Sequence, residues 1–237
     1  MGESERSAQP RTSGQQHREP QVSIVVPARN EAAYLPATLS SVAGLETDRS
    51  YEVIVVDGDS ADETAAIARE YGATVLEGPG TSIAAGRNRG AERARGEWLA
   101  FVDADTVVRQ HYLDTLVGYA ERNDLAAASS RCRITGPRRA KLMEATINHV
   151  FSRLSRPILP GFNFLIRRET FDAHGGFPAV SNEDTAFSRR LARTERTGYC
   201  PAVLVESSGR RIAERGLTGT LVHYARLDWG RIRSTNG

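Results

Sequence analysis

Lysine is almost missing from this chain: of 31 basic residues only Lys141 is not an arginine. That bias carries little functional weight, but the balance of charge does. Acids number 29 and the formal net charge is +2, which excludes a chain built as a whole to seek polyanions and argues against a nucleic-acid partner. Cysteine is scarce too. Cys132 and Cys200 are far apart and neither has a Cys-x-x-Cys or Cys/His spacing, so no zinc site or disulfide framework is indicated and a reducing, cytoplasmic setting is expected. No apolar run approaches the roughly 20 residues of a membrane-spanning helix, so any work at a membrane is expected from its surface. Residues 1–20 are polar and charged, without the apolar stretch of a signal peptide. They are expected to form a disordered tail ahead of one domain over residues 21–237.

What the chain does have is alternation. With 40% hydrophobic and 25% charged residues over 237 positions, it can bury one sizeable core. Val22-Ser23-Ile24-Val25-Val26 reads as a buried strand ended by Pro27, and a helix from Ala32 to Ala43 follows. Tyr51 to Val56 is a second strand. Ser60 and Glu63 have the spacing of a capping box opening a helix to Glu70. Ala73 to Leu76 is a third strand, Ile83 to Arg95 a helix, and Glu97 to Val102 a fourth strand. This pattern predicts an α/β fold with a mostly parallel central sheet. The second half is less regular, with helices expected over Gln110–Arg122, Arg138–Arg153 and Asn182–Thr194 and strands near Leu125–Ile134, Phe162–Ile166 and Ala202–Val205.

Polar motifs fall at successive strand ends, where open α/β sheets bind ligands. Pro27-Ala28-Arg29-Asn30-Glu31 follows the first strand, Asp57-Gly58-Asp59-Ser60 the second, Gly86-Arg87-Asn88-Arg89-Gly90 lies on the next helix, and Asp103-Ala104-Asp105 follows the fourth strand. Paired carboxylates on a stiff strand end suit Mg²⁺ or Mn²⁺, which shares its remaining positions with water and substrate phosphates. Each acid alone reads equally well as a satisfied turn or a helix-start charge; their joint occurrence is what argues for a site.

With Gly175-Gly176-Phe177 and Asn182-Glu183-Asp184-Thr185, the set resembles the family 2 glycosyltransferases of GT-A fold over about Val22 to Leu191. The resemblance implies a Rossmann-like, inverting transferase that uses a UDP- or GDP-linked sugar with Mg²⁺ or Mn²⁺. Pro27, Ala28, Arg29 and Glu31 would line the nucleoside pocket, with Asp57 facing the base and Asp59 beside it. Arg87 would approach the donor's phosphate or sugar, Asp103 the nucleotide, and Asp105 the metal. Asp184 would be the base that deprotonates an acceptor hydroxyl, with Glu183 orienting the acceptor or holding the loop. Gly161 and Asn163 would form part of the acceptor wall. Ser207-Ser208-Gly209-Arg210-Arg211 resembles a segment found in a subset of the family, and Arg210 and Arg211 are candidate diphosphate contacts, a solvated basic turn being the alternative.

Other readings stay open. Transfer to a polyprenyl phosphate is the competing family role, and a degenerate nucleotide-binding scaffold is the non-enzymatic one. A sugar nucleotidyltransferase or nicotinamide dehydrogenase is disfavoured because no glycine-rich phosphate loop follows the first strand. Between Arg131 and Arg168 nine basic residues face one acid, Glu144, with apolar residues at helical spacing. That stripe reads first as ordinary core with solvated arginines, and second as a face for an anionic membrane, joined by the stretch from Leu217 through Trp229. His223 reads as a surface or packing residue before a metal ligand.

Overall fold

The structure, a computed structural model, describes residues 19–78, 82–136, 138–154 and 156–210. Residues 1–18, Arg211, His223 and the stretch from Leu217 through Trp229 lie outside them.

The elements run β1 (Val22–Ala28), α1 (Leu35–Ala43), β2 (Tyr51–Asp57), α2 (Thr64–Glu70), β3 (Thr74–Glu77), α3 (Ile83–Arg93), β4 (Trp98–Val102), β5 (Thr106–Val108), α4 (Tyr112–Arg122), β6 (Ala127–Thr135), α5 (Arg138–Ala145), β7 (Asn163–Arg167), α6 (Arg168–Ala173), α7 (Glu183–Leu191) and β8 (Thr197–Ser208). Among the described residues they form an eight-stranded sheet in the order β3-β2-β1-β4-β7-β6-β8-β5. The first four strands are mutually parallel. Their apolar runs are the reason: β4 is buried at all five positions, as a parallel strand covered on both faces requires. The second half is mixed, because β7 runs antiparallel to both β4 and β6.

Five expectations for local structure need correcting. Strand β1 runs through Pro27 to Ala28 instead of ending at the proline. The helix after β2 starts at Thr64 and has no Ser60–Glu63 box. Asp62 takes the local bonds, accepting from the Thr64 N–H at 3.1 Å, while the Ser60 hydroxyl accepts from the Asn30 N–H at 2.9 Å. Tying two strand-end loops together competes with capping for the same oxygen. The single helix expected over Arg138–Arg153 is α5 followed by a π-helical turn, Thr146–Val150, and a 3₁₀ turn, Phe151–Arg153. The last strand spans Thr197–Ser208 rather than Ala202–Val205. Two short elements, β5 and α6, are additional.

The broken helix has a cause on β6. Beyond Ala128 this strand no longer pairs with β7, and its register against β8 shifts between Ser130 and Cys132. Side chains cover the edge instead. Asn163 Nδ2 donates to the Ser130 carbonyl at 3.2 Å, Asn148 both accepts from and donates to the Cys132 backbone at 2.9 and 2.7 Å, and Glu144 accepts from the Ile134 N–H at 2.6 Å. Residues 130, 132 and 134 point the same way at strand period, so three side chains stand in for a missing strand. The π turn brings consecutive residues Ile147 and Asn148 inward together.

Candidate active site

Motifs meet at the carboxyl ends of β1, β2 and β4, because order β2-β1-β4 makes the β1/β4 boundary the point where the chain reverses direction across the sheet. The loops after β1 and β2 are stitched to each other. Asn30 and Asp59 both adopt positive φ, 53° and 63°, a conformation Asn and Asp tolerate better than most residues. Asn30 Oδ1 accepts from the Ala61 N–H and the Gly58 N–H donates to the Ala28 carbonyl, each at 2.8 Å. Helix α1 steadies the loop after β4: Thr38 Oγ1 donates to the Ala104 carbonyl at 2.8 Å, and Ser41 Oγ accepts from the Val108 N–H at 3.0 Å.

The segment Gly86-Arg87-Asn88-Arg89-Gly90 on α3 is explained residue by residue. Gly90 lets the helix lie directly on the sheet, since a Cβ there would stand 2.3 Å from Val25 Cγ1. Asn88 clamps the loop before α7, donating to the Phe177 carbonyl and accepting from the Phe177 N–H, both at 2.9 Å. Arg89 faces solvent and pairs with Glu92. Arg87 is 2% exposed and bridges two acids, donating from Nη2 to Asp103 Oδ1 at 2.8 Å and from Nη1 to Glu183 Oε1 at 2.6 Å. Its guanidinium lies 5.3 Å from the Phe177 ring centre. Beneath it Phe101, Phe164, Phe171, Phe177 and Phe187 interlock, with ring centres 4.9 Å apart for Phe177 and Phe187. In this state Arg87 is committed to the two carboxylates rather than turned toward a ligand.

Electrostatics follow from that burial. Desolvation, with Asp184 adding to it, pushes the Glu183 carboxyl above its ordinary range against the pull of Arg87. Desolvation works against the Arg87 charge, yet Asp103, Glu183 and Asp184 outweigh it and raise its pKa. Gly161 sits against the same guanidinium, where a Cβ would approach Nη1 to 2.5 Å. Its N–H donates to Asp184 Oδ2 at 3.0 Å, so Asp184 and Gly161 share a wall. Asn163 does not reach that wall's surface. It is fully buried, with its side chain spent on Tyr112, Ser130 and the edge of β6.

Two grooves share the first turn of α3. A cavity of about 230 Å³ is lined by Pro27, Ala28, Arg29, Glu31, Gly58 and Gly86. Asp57 flanks it and is 6% exposed. Its Oδ2 accepts from the Ser60 N–H at 3.2 Å, whereas its Oδ1 is buried and has no partner; a buried acceptor left unpaired calls for a donor from elsewhere. Asp59 is exposed beside it. The second, larger groove, about 620 Å³, runs along Ile83, Asn88, Phe177, Val180 and Glu183. Arg210, expected from the sequence as a diphosphate contact or a solvated basic turn, borders the first through Glu31. It donates to both Glu31 oxygens at 2.8 and 2.9 Å, stands 3.7 Å from Asp105 Oδ2 and stacks on Tyr34. Only the Ser-Gly-Arg-Arg string hinted at that cross-link.

No cluster of three or more His, Cys, Asp or Glu fit to hold a metal alone occurs among the described residues. Hard carboxylates at Asp103 and Asp105 fit a Mg²⁺ or Mn²⁺ whose other ligands come from a diphosphate and water. No helix among the described residues is long and apolar enough to cross a membrane.

Comparison with known proteins agrees with this layout. The family model described as Glycosyl transferase family 2 matches residues 23–185. The glycosyltransferase AglE of Haloferax volcanii is 26% identical over 185 residues, covering 72% of this chain and 61% of that protein. A PGL/p-HBAD biosynthesis glycosyltransferase of Mycobacterium tuberculosis is 36% identical over 118 residues, 45% of each. The chain therefore spans less than two thirds of the length of these curated relatives. Among solved structures, S. aureus TarS in complex with UDP superposes with a TM-score of 0.67 at 20% identity, over 79% of this chain and 60% of that one. The mannosyltransferase PcManGT from Pyrobaculum calidifontis, in complex with GDP-Man and Mn²⁺, gives 0.64 at 23% identity, over 81% and 57%. Both likenesses bear out the mostly parallel α/β fold of GT-A type.

Proposed function

The chain belongs to glycosyl transferase family 2, and from that premise we propose that it is a metal-dependent, inverting glycosyltransferase that moves a sugar from a UDP- or GDP-linked donor to an acceptor hydroxyl. The observation that carries the reading is the pairing of two acidic centres across one buried arginine, with Asp103 next to Ala104 of the smaller cavity and Glu183 on the wall of the larger groove. Donor and acceptor thus have separate walls and a shared floor.

Each role follows from chemistry at a named atom. Asp57 Oδ1 accepts an N–H of the base or a ribose hydroxyl, which pairs its orphaned oxygen. Pro27, Ala28, Arg29 and Glu31 form the nucleoside wall. Asp105, with Asp103 two residues before it, would hold the Mg²⁺ or Mn²⁺, which would neutralise charge on the leaving diphosphate. Asp184, oriented by the Gly161 N–H, takes the proton from the acceptor hydroxyl as that oxygen attacks the anomeric carbon from the face opposite the leaving group. Glu183, held by Arg87, orients the acceptor. Arg210 leaves Glu31 for the donor diphosphate, whose geometry a guanidinium matches. The cytoplasmic setting expected from the sequence carries over to this reading.

Calorimetry with UDP and GDP tests it. Binding is expected to need Mg²⁺ or Mn²⁺ and to weaken about tenfold or more in Asp105→Asn, which loses one hard oxygen ligand. Equal wild-type affinity in EDTA overturns the metal assignment.

A further inference from the structure

The segment 138–156 has an outer face that the transferase reading leaves unused. On its inner side Glu144 and Asn148 bond to β6 and Ile147 is buried. On its outer side Arg138, Lys141, Leu142 and Ala145 of α5, His149 and Val150 of the π turn, Arg153 of the 3₁₀ turn, and Leu154 and Arg156 beyond it are exposed. Leu142, Val150 and Leu154 are 52%, 52% and 43% exposed, three of the seven large exposed apolar side chains among the described residues. Interleaved with them are four cations, and Arg133 of β6 adds a fifth exposed one. The one acid of the segment, Glu144, pairs with Lys141 at 2.8 Å on the side facing β6, so the excess of positive charge on the face rests on Arg138, Arg153 and Arg156. Burial works to raise the Glu144 carboxyl, but bonds from Lys141 and the Ile134 N–H and the charges of Lys141 and Arg133 hold it below its ordinary value.

Cations interleaved with exposed aliphatic groups fit a specific kind of partner. A nucleic acid rewards the arginines but gives Leu142, Val150 and Leu154 nothing to bury into. An apolar protein groove leaves the charges uncompensated. A bilayer bearing acidic headgroups satisfies both at one depth, with aliphatic side chains below the headgroups and guanidinium groups among them. We infer that the exposed face of residues 138–156 docks the protein on an anionic lipid surface. The inference rests on the preceding reading only for why a lipid surface is useful, since from Arg156 the chain runs through Pro157–Pro160 directly to the Gly161 that touches Asp184. Docking there holds the acceptor side of the site next to the membrane.

The test needs no donor and no activity, so its failure is separable from failure of the transferase reading. The full chain is sedimented with vesicles of phosphatidylcholine alone, or of phosphatidylcholine and phosphatidylglycerol in equal parts. Partitioning is expected onto the anionic vesicles, and to fall as salt rises. Arg153→Gln with Arg156→Gln should lower it by about tenfold or more, and Val150→Ser with Leu154→Ser by about tenfold. Because all four positions are exposed, the melting temperature is expected to stay unchanged, which separates lost docking from lost folding. Equal partitioning onto both vesicle types overturns the proposal. So does loss in the arginine pair without loss in the apolar pair, accompanied by equal affinity for RNA, which marks a general polyanion surface. Self-association abolished by the serine pair also overturns it, because a second copy then covers the face.

Discussion

Replacing Arg87 by methionine keeps the aliphatic stem and the contact with Phe177 but removes the only charge between Asp103 and Glu183. Both bonds are short, 2.8 and 2.6 Å, and the three side chains are 2%, 11% and 13% exposed. Breaking a buried pair by deleting one partner costs about 3–5 kcal/mol, because the remaining charge is stranded. Here two carboxylates are stranded, and one of them has an escape. Glu183 is already pushed upward by burial, and losing Arg87 removes the charge that pulls it down, so part of the penalty is relieved by proton uptake as pH falls. The sign follows: a carboxyl whose folded pKa exceeds its unfolded value makes the folded state bind more protons, so its contribution is fully present below the unfolded pKa and lost as pH rises through the folded one. The Arg87→Met penalty is therefore expected to be about 3–5 kcal/mol at about pH 8 and clearly smaller at about pH 5. Urea denaturation at the two pH values measures it, with an unchanged slope reporting that only stability moved. Near neutrality the melting temperature should drop by about 10 °C. A loss below about 1 kcal/mol at both pH values refutes the reasoning, since it means that water reaches both acids without the arginine.

Three further outcomes are expected. Asp184→Asn should cut turnover by about 100-fold or more and leave UDP or GDP affinity nearly unchanged; transfer at the wild-type rate would mean that the acceptor arrives as an anion, as a polyprenyl phosphate does. Asp57→Asn keeps an acceptor for Ser60 but turns the orphaned oxygen into a donor, so calorimetric nucleotide affinity should fall by about tenfold or more while thermal stability holds. In Gly90→Ala the gain in helix propensity, about 1 kcal/mol, is outweighed by a Cβ at 2.3 Å from Val25 and 3.1 Å from Val56. Both valines are buried strand residues, so a thermal melt should show net destabilisation of about 1–2 kcal/mol.

How much was legible depended on whether the determining contact was local. The first four strands and their helices follow from apolar runs and punctuating Gly and Asp, and their boundaries agree within about three residues. The second half resists the same treatment because its strands are completed by distant side chains. Asn148 broke an otherwise regular helical pattern only because β6 offers it an unpaired edge, and no window around residue 148 contains that edge. Ser60 looked like a cap because its neighbours fit one, yet its hydroxyl serves Asn30. The site motifs were visible as a set, and their grouping at one end of the sheet follows from the topology. What spacing does not reveal is who neutralises whom. Arg87 joins residues 16 and 96 positions away, and Arg210 reaches Glu31 across 179.

The antiparallel pairing of β7 on β4 sets Val102 opposite Asn163, so the finish of one strand and the beginning of the other open onto the same rim. The consequence concerns retooling. On the proposed reading, residues 22–105 together with Arg210 keep a fixed reader for one donor, while the stretches ahead of β7 and ahead of α7 are rewritten for another recipient, since Ser188 on Leu159 and Asn88 on Phe177 anchor them. Selection, or a protein engineer, can therefore change what receives the sugar without relearning how the sugar is held.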